Sequence, residues 1–258
     1  MLKILEGIGK IFRILWMGVA ASVFVLSNVV FVLFALPIAL LLAPFPRVRP
    51  RVLSLLLRGL LNLMFSKAAP FCRVFGLSEN VRKVLAENRG SLIVCNHITL
   101  IDPMLVLSFA PDTGVLLKGK YGKWPAIWFL LKFFDFVALD GTSPAEIAGV
   151  AEACAKLLRG GRSLLVFPEG TRSRSGRVGD FKNLAFKLAK DGGCKVVALC
   201  IRVDAPFFSK GQKGILPARK PNFKMDCAGV FDPSDYRNAD TLCAAVYRAV
   251  SKKCREPM

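Results

Sequence analysis

The feature that most limits how this chain can fold is a long stretch without charge. From Ile14 to Pro46, 33 residues, there is no Asp, Glu, Lys or Arg. As one helix rising about 1.5 Å per residue the stretch would be about 50 Å long, against a bilayer hydrocarbon core of roughly 30 Å. It is too long for one upright span and too short for two complete ones. The apolar core of a signal peptide is far shorter, about 7–15 residues. Pro37 lies inside the stretch, and Pro44 and Pro46 close it, so a break in the helix is expected. Both flanks are basic, with Lys3, Lys10 and Arg13 before it and Arg47, Arg49 and Arg51 after it. Basic flanks prefer the cytoplasmic side, which favours a segment that dips into the membrane and returns, a re-entrant or shallow hairpin. A single tilted span is the alternative. The apolar stretch Val52–Phe65, interrupted by Arg58 and followed by Lys67, suits an amphipathic helix lying on a surface. We therefore expect residues 1–66 to form a membrane-embedded helical segment and 67–258 a separate domain.

The rest of the composition agrees with a surface-associated protein. Lys and Arg number 37 against 18 Asp and Glu, a formal charge of +19, while 53% of residues are hydrophobic and the mean hydropathy is +0.46. A disordered basic tail carries far fewer apolar residues. High positive charge with high hydrophobicity points to a globular domain working against an anionic leaflet. Nucleic-acid binding is the rival on charge alone, and it requires aromatic residues among the basic ones. The densest basic run, Arg172–Arg177, has none, so no nucleic-acid partner is expected. The eight cysteines (Cys72, Cys95, Cys154, Cys194, Cys200, Cys227, Cys243, Cys254) include no CxxC pair. They read as small buried hydrophobes in a reducing compartment, and no metal site is expected.

Beyond residue 67 the texture becomes alternating. Strand-like runs at Ser91–Cys95, Gly114–Leu117, Phe136–Leu139, Ser163–Phe167, Lys195–Val203 and Phe223–Val230 are separated by helical patterns at Pro103–Phe109, Trp124–Phe133, Pro144–Leu158, Phe181–Lys190 and Ala239–Lys253. That alternation predicts an α/β fold with a mixed or largely parallel sheet flanked by helices. Ser143 followed by Pro144 suits a helix start, and Gly160-Gly161 suits its end.

The chain has one histidine, so any histidine chemistry runs through His97. It follows the apolar run Leu92–Cys95 directly, where a strand end meets a loop and α/β proteins place reactive groups. Asp102 lies five residues on. Five residues do not bring two side chains onto one helix face; the two meet only if His97 is on the loop and Asp102 at the start of the next helix. Asp102-Pro103 can equally be read as a helix cap and first turn. The second segment, Ser163 to Ser173, runs from a strand into Glu169-Gly170-Thr171-Arg172. The glycine permits a tight turn, and Arg172 presents a fork suited to phosphate oxygens.

NHITLID at 96–102 followed by FPEGTRS at 167–173 resembles the glycerolipid acyltransferases of the lysophosphatidic-acid (1-acylglycerol-3-phosphate) type. The first matches their Asn-His-x4-Asp catalytic motif and the second their acceptor-binding motif. The resemblance implies a membrane-associated O-acyltransferase with His97 as general base and Asp102 orienting it. Glu169, Gly170, Thr171 and Arg172 fall on the acceptor-binding positions, and Lys118 resembles a lysine before an intermediate motif. It further implies an acyl-CoA or acyl-carrier protein donor, no bound cofactor, a lysolipid acceptor, anionic membrane lipids as partners and a place on the cytoplasmic face of a membrane, the inner one in a bacterium. Two departures stand out. Where the family carries a phosphate-binding arginine this chain reads Ala138-Leu139-Asp140-Gly141-Thr142, and Ala198 follows Val196-Val197 where a proline is usual. The first opens a phosphate-free acceptor, such as a lyso-ornithine lipid or a glycolipid or secondary-metabolite acceptor, as an alternative. A non-catalytic lipid-binding protein of the same fold is a third reading. Oligomeric state is not legible.

Overall fold

The computed structural model describes the chain except for residues 1, 46–47, 65–72, 76–78, 111, 124, 135, 140–142, 206–207 and 211–220. The expected boundary near residue 66, Gly141 with its neighbours Asp140 and Thr142, Trp124, and the basic residues Lys213, Arg219 and Lys220 lie outside the described residues.

The N-terminal stretch forms one helix, α1 (Leu2–Leu41), with Pro37 inside it. The break expected from the prolines falls not at Pro37 but where Pro44 closes the stretch. A proline withdraws a single N–H from the helical ladder, and the hydrogen bonds of neighbouring turns carry the helix past it. The chain reverses later, through hydrogen-bonded turns at Ala43, Phe45 and Val48, and re-enters as α2 (Arg49–Met64). Ala35 and Ala39, one turn apart, are buried in the same core cluster as Leu53 and Leu61 of α2. Other faces of the pair expose Leu26, Leu33, Phe34, Leu40, Leu41, Leu55 and Leu63. Among the described residues, which leave out several side chains of α1, no helix is long and apolar enough to cross a membrane.

The remaining elements are β1 (Arg73–Phe75), α3 (Glu79–Glu87), β2 (Leu92–Cys95), α4 (Asp102–Leu107), β3 (Thr113–Lys118), α5 (Pro125–Phe133), β4 (Val137–Leu139), α6 (Pro144–Arg159), β5 (Ser163–Val166), α7 (Leu184–Gly192), β6 (Val196–Val203), β7 (Asn222–Phe231) and α8 (Ala239–Cys254). The strands make one seven-stranded sheet in the order β1-β7-β6-β2-β5-β3-β4. Every pairing is parallel except β6 with β7, so the sheet is mixed, as the alternation of elements predicted.

Side chains alternate across a strand, and both faces of this sheet are covered. Ile93, Cys95, Leu165, Val197, Leu199 and Ile201 pack on the side of α1–α5. Leu92, Val94, Leu164, Val166, Val196 and Ala198 pack against α6, α7 and α8. Burial on two faces is why these strands read as continuous apolar runs. At the amino edge, the buried Arg162 pairs through Nε with Asp112 Oδ1 at 2.9 Å, and Arg51 of α2 reaches Oδ2 of the same carboxylate at 3.6 Å. That shared aspartate ties the N-terminal hairpin to the sheet.

One cysteine expectation is corrected. Cys200 and Cys254, read as unpaired thiols, form a disulfide that joins β6 to the end of α8. The two stand 54 positions apart with no local sign of the pairing; the sheet and the helix packed on it bring them together.

The start of α6 follows its residues closely. Ser143 Oγ accepts from the Glu146 N–H, and the Glu146 carboxylate returns to the Ser143 N–H and Oγ, a reciprocal capping box. Gly161, just beyond the helix, takes φ +75°, a conformation open to glycine at little cost. Replacing Ser143 with Ala is expected to cost about 1 kcal/mol and lower the melting temperature by about 2–4 °C, read by thermal unfolding in detergent.

Candidate active site

Strand β2 ends at Cys95 in the middle of the sheet, and the chain must turn outward there. Asn96 fixes how it does so. Its side-chain amide donates to the Ile201 carbonyl at 2.9 Å and accepts from the Ile201 N–H at 2.8 Å. The buried Asn96 thus substitutes for one more rung between β2 and β6, and His97 emerges at the carboxyl edge.

The loop 96–101 then curls around one carboxylate. Asp102 is 0% exposed, and an unpaired charge there would be costly. Its Oδ2 accepts from His97 Nδ1 at 2.9 Å, from the Ile98 N–H at 2.7 Å and from the Thr99 N–H at 2.8 Å. Its Oδ1 accepts from Thr99 Oγ1 at 2.5 Å. Asp102 therefore does not cap its own helix: Ile101 occupies the N-cap of α4 and makes no side-chain cap bond. The carboxylate instead gathers donors from the loop before it. With an acceptor facing Nδ1, that nitrogen carries the hydrogen, and Nε2 keeps its lone pair. The imidazole, 17% exposed, stacks on Phe167 with centroids 4.2 Å apart. A held imidazole with a free Nε2 can serve as a general base.

The second loop leaves β5, the neighbour of β2. Glu169 points inward, 8% exposed. Its Oε1 accepts from the His97 N–H at 2.9 Å and its Oε2 from the Gly179 N–H at 3.0 Å. The His97 carbonyl in turn accepts from the Ser173 N–H at 2.7 Å. Gly170 sits at φ +64°, and a Cβ there would come within 3.3 Å of the Lys182 side chain. Beyond this turn Thr171 is exposed and Arg172 half-buried. Arg172 Nη1 donates to the Phe208 carbonyl at 2.6 Å. The same carbonyl accepts from the Leu100 N–H at 3.3 Å, so one oxygen bridges the two loops.

Of the residues singled out from the sequence, His97, Asp102, Glu169, Gly170 and Arg172 belong to one connected arrangement. Thr171 lies at its rim, where Lys210 Nζ reaches Thr171 Oγ1 at 2.9 Å. Lys118 ends β3 and is exposed. It shares the carboxyl edge with His97, two strands away in the order β2-β5-β3. Sequence reasoning missed the roles of Thr99, Phe167, Gly179 and Phe208. Thr99 and Phe167 stand within the quoted motifs. Gly179 and Phe208 carry no local signal, since their importance is purely one of proximity. Among the described residues no three His, Cys, Asp or Glu side chains form a group that could hold a metal ion.

Comparison with known proteins points the same way. Residues 75–202, about half of the chain, match the family model described as acyltransferase. The chloroplastic 1-acyl-sn-glycerol-3-phosphate acyltransferase LPAT1 of Arabidopsis thaliana is 28% identical over 165 residues, covering 64% of this chain and 45% of that protein. The probable 1-acyl-sn-glycerol-3-phosphate acyltransferase of Mycoplasma pneumoniae is 32% identical over 152 residues, 54% of this chain and 56% of its own length. The chain thus spans about half the length of the curated relatives it matches. Among solved structures, the 1-acyl-sn-glycerophosphate acyltransferase PlsC of Thermotoga maritima superposes with a TM-score of 0.70 over 95% of both chains at 21% identity. At that identity the likeness speaks for the fold.

Two outcomes test the electrostatics of the site. Asp102→Asn leaves one acceptor oxygen where four donors converge, and is expected to destabilise the fold by about 1–3 kcal/mol in chemical denaturation. Burial pushes the Glu169 carboxyl up, against the opposing pull of the two backbone N–H donors. The folded chain then holds this proton to higher pH than the unfolded chain. That stabilisation is full below the ordinary value of 4.5 and is lost as pH rises through the raised one. Melting temperatures taken from about pH 4 to about pH 7 are therefore expected to shift in favour of Glu169→Gln relative to the wild type.

Proposed function

Because the chain belongs to the acyltransferase family through residues 75–202, we propose that it is a membrane-associated O-acyltransferase of lipid biosynthesis. It transfers a fatty acyl group from acyl-CoA or acyl-carrier protein to the hydroxyl of a lysophospholipid-like acceptor. The observation that carries this reading is the chain's single histidine, held through Nδ1 at 2.9 Å from a fully buried carboxylate, with Nε2 unpartnered among the described residues at the carboxyl edge of the sheet.

His97 Nε2 removes the proton from the acceptor hydroxyl as that oxygen attacks the thioester carbonyl carbon. Asp102 stabilises the imidazolium that forms. The tetrahedral intermediate collapses, the carbon–sulfur bond breaks, and the departing thiolate takes the proton back from His97. Ester and free thiol result, and no acyl-enzyme is needed. Arg172, at the rim beside Thr171, supplies a guanidinium for an anionic headgroup, and Lys118 a further cation along the same edge.

The exposed leucines and phenylalanines of α1 and α2 support a membrane-facing role for that pair, since apolar patches of this extent on a protein surface mark association. The basic excess supports an anionic leaflet as the surface and a position on the cytoplasmic face. The substitution of Gly141 for a motif arginine supports a second reading for the acceptor, one without the phosphate.

His97→Ala is expected to lower acyl transfer by at least about a hundredfold, measured as thiol release with a lysolipid present, while flotation with anionic liposomes is retained. Transfer at the wild-type rate would overturn the mechanism. A panel of phosphate-bearing and phosphate-free lysolipids identifies the acceptor class, and no thiol release with any of them would leave a lipid-binding protein.

A further inference from the structure

The motif 167–173 is matched, by resemblance, to acceptor binding. Its glutamate does something else in this fold. We infer that Glu169 is a positioning residue that fixes the backbone of the general base His97, and is not a ligand for the acceptor; this rests on the acyltransferase reading above. Both carboxylate oxygens are engaged with backbone donors on opposite sides, the His97 N–H at 2.9 Å and the Gly179 N–H at 3.0 Å. The side chain is 8% exposed, whereas Thr171 of the same turn is exposed. The turn therefore divides its labour by direction, with Glu169 inward and Thr171 outward.

The contacts on His97 come from both motifs. Its N–H is held by Glu169, its carbonyl by the Ser173 N–H at 2.7 Å, its ring face by Phe167 and its Nδ1 by Asp102. Three of these four groups belong to the segment 167–173. The peptide of His97 is pinned before and after its Cα, so the direction in which Nε2 projects is set by the second loop as much as by Asp102. Gly179 belongs to the same clamp. A Cβ at that position would stand 3.0 Å from Glu169 Oε2, so it would press the carboxylate a few tenths of an ångström out of its seat between the two donors.

A misplacement of about 1 Å in a reacting group can cost roughly a hundredfold in rate, and a defect in aim alone leaves ground-state binding untouched. Glu169→Gln keeps one carbonyl oxygen and turns an NH2 toward the other backbone donor. It is expected to lower kcat about tenfold to a hundredfold while the acceptor KM stays within about twofold of the wild type. Gly179→Ala presses on the same carboxylate from the far side and is expected to show the same split, more mildly. Arg172→Ala is the contrast, expected to raise the acceptor KM. A rise in acceptor KM with kcat unchanged in Glu169→Gln would overturn the inference and return Glu169 to acceptor binding.

A readout independent of turnover is amide hydrogen exchange in the segment 96–102. The His97 amide is expected to be protected in the wild type and to lose protection in Glu169→Gln and in Gly179→Ala. Unchanged protection in both variants would overturn the clamp, even if the wild type transferred no acyl group. Should Glu169→Gln fail to fold, Gly179→Ala decides both measurements alone.

Discussion

A fully buried carboxylate has to be satisfied by its surroundings, and in this protein the loop after the central strand is shaped around that requirement. Four donors converge on Asp102: the ring of His97, two consecutive backbone N–H groups and a threonine hydroxyl. The backbone donors account for the tight curl of residues 97–101, because both can reach one oxygen only if the chain wraps back over the start of α4. The proposed chemistry follows from the same geometry. An acceptor locked onto Nδ1 leaves Nε2 as the basic nitrogen, and a buried carboxylate beside the ring favours the imidazolium that the reaction would create.

That loop does not stand by itself. Asn96 anchors its beginning to β6, while Glu169 and Ser173 hold His97 from the β5 side. The three strands involved are parallel neighbours, so their carboxyl ends open on one edge. A histidine on one loop can then be braced by residues some seventy positions away. The Phe208 carbonyl adds a third connection by accepting from Leu100 and Arg172 together. Phe208 holds φ +50° to do so, a left-handed backbone that is uncommon outside glycine.

The two helical layers are unlike each other. The face carrying α1 and α2 exposes large apolar side chains, and the helices α6–α8 cover the other face with a conventional amphipathic packing. Packing of Ala35, Ala39, Leu53 and Leu61 into the core holds the apolar hairpin on the sheet, and Arg51 adds a surface ion pair with Asp112.

Much of this was legible in the residues. β2, β5 and β6 are buried on both faces and read as continuous apolar runs, β2 to β7 fall within a residue or two of their expected positions, and Ser143 with Pro144 announces the start of α6. Three-residue β1 and the charged α3, in which Val81 and Leu85 are buried, are too short or too polar to stand out. The prolines announced a reversal of the N-terminal stretch but not its place: Pro37 stays within α1, and the chain turns at Ala43, Phe45 and Val48. His97, Asp102 and Arg172 were picked out in the sequence by the resemblance of their two segments to known motifs, and the fold brings those segments together. The inward direction of Glu169, the fit of Gly179, the bridge at Phe208 and the joining of Cys200 to Cys254 were decided only by the tertiary structure. Each depends on strand register and helix packing that bring together atoms far apart along the chain, and no local pattern encodes that distance.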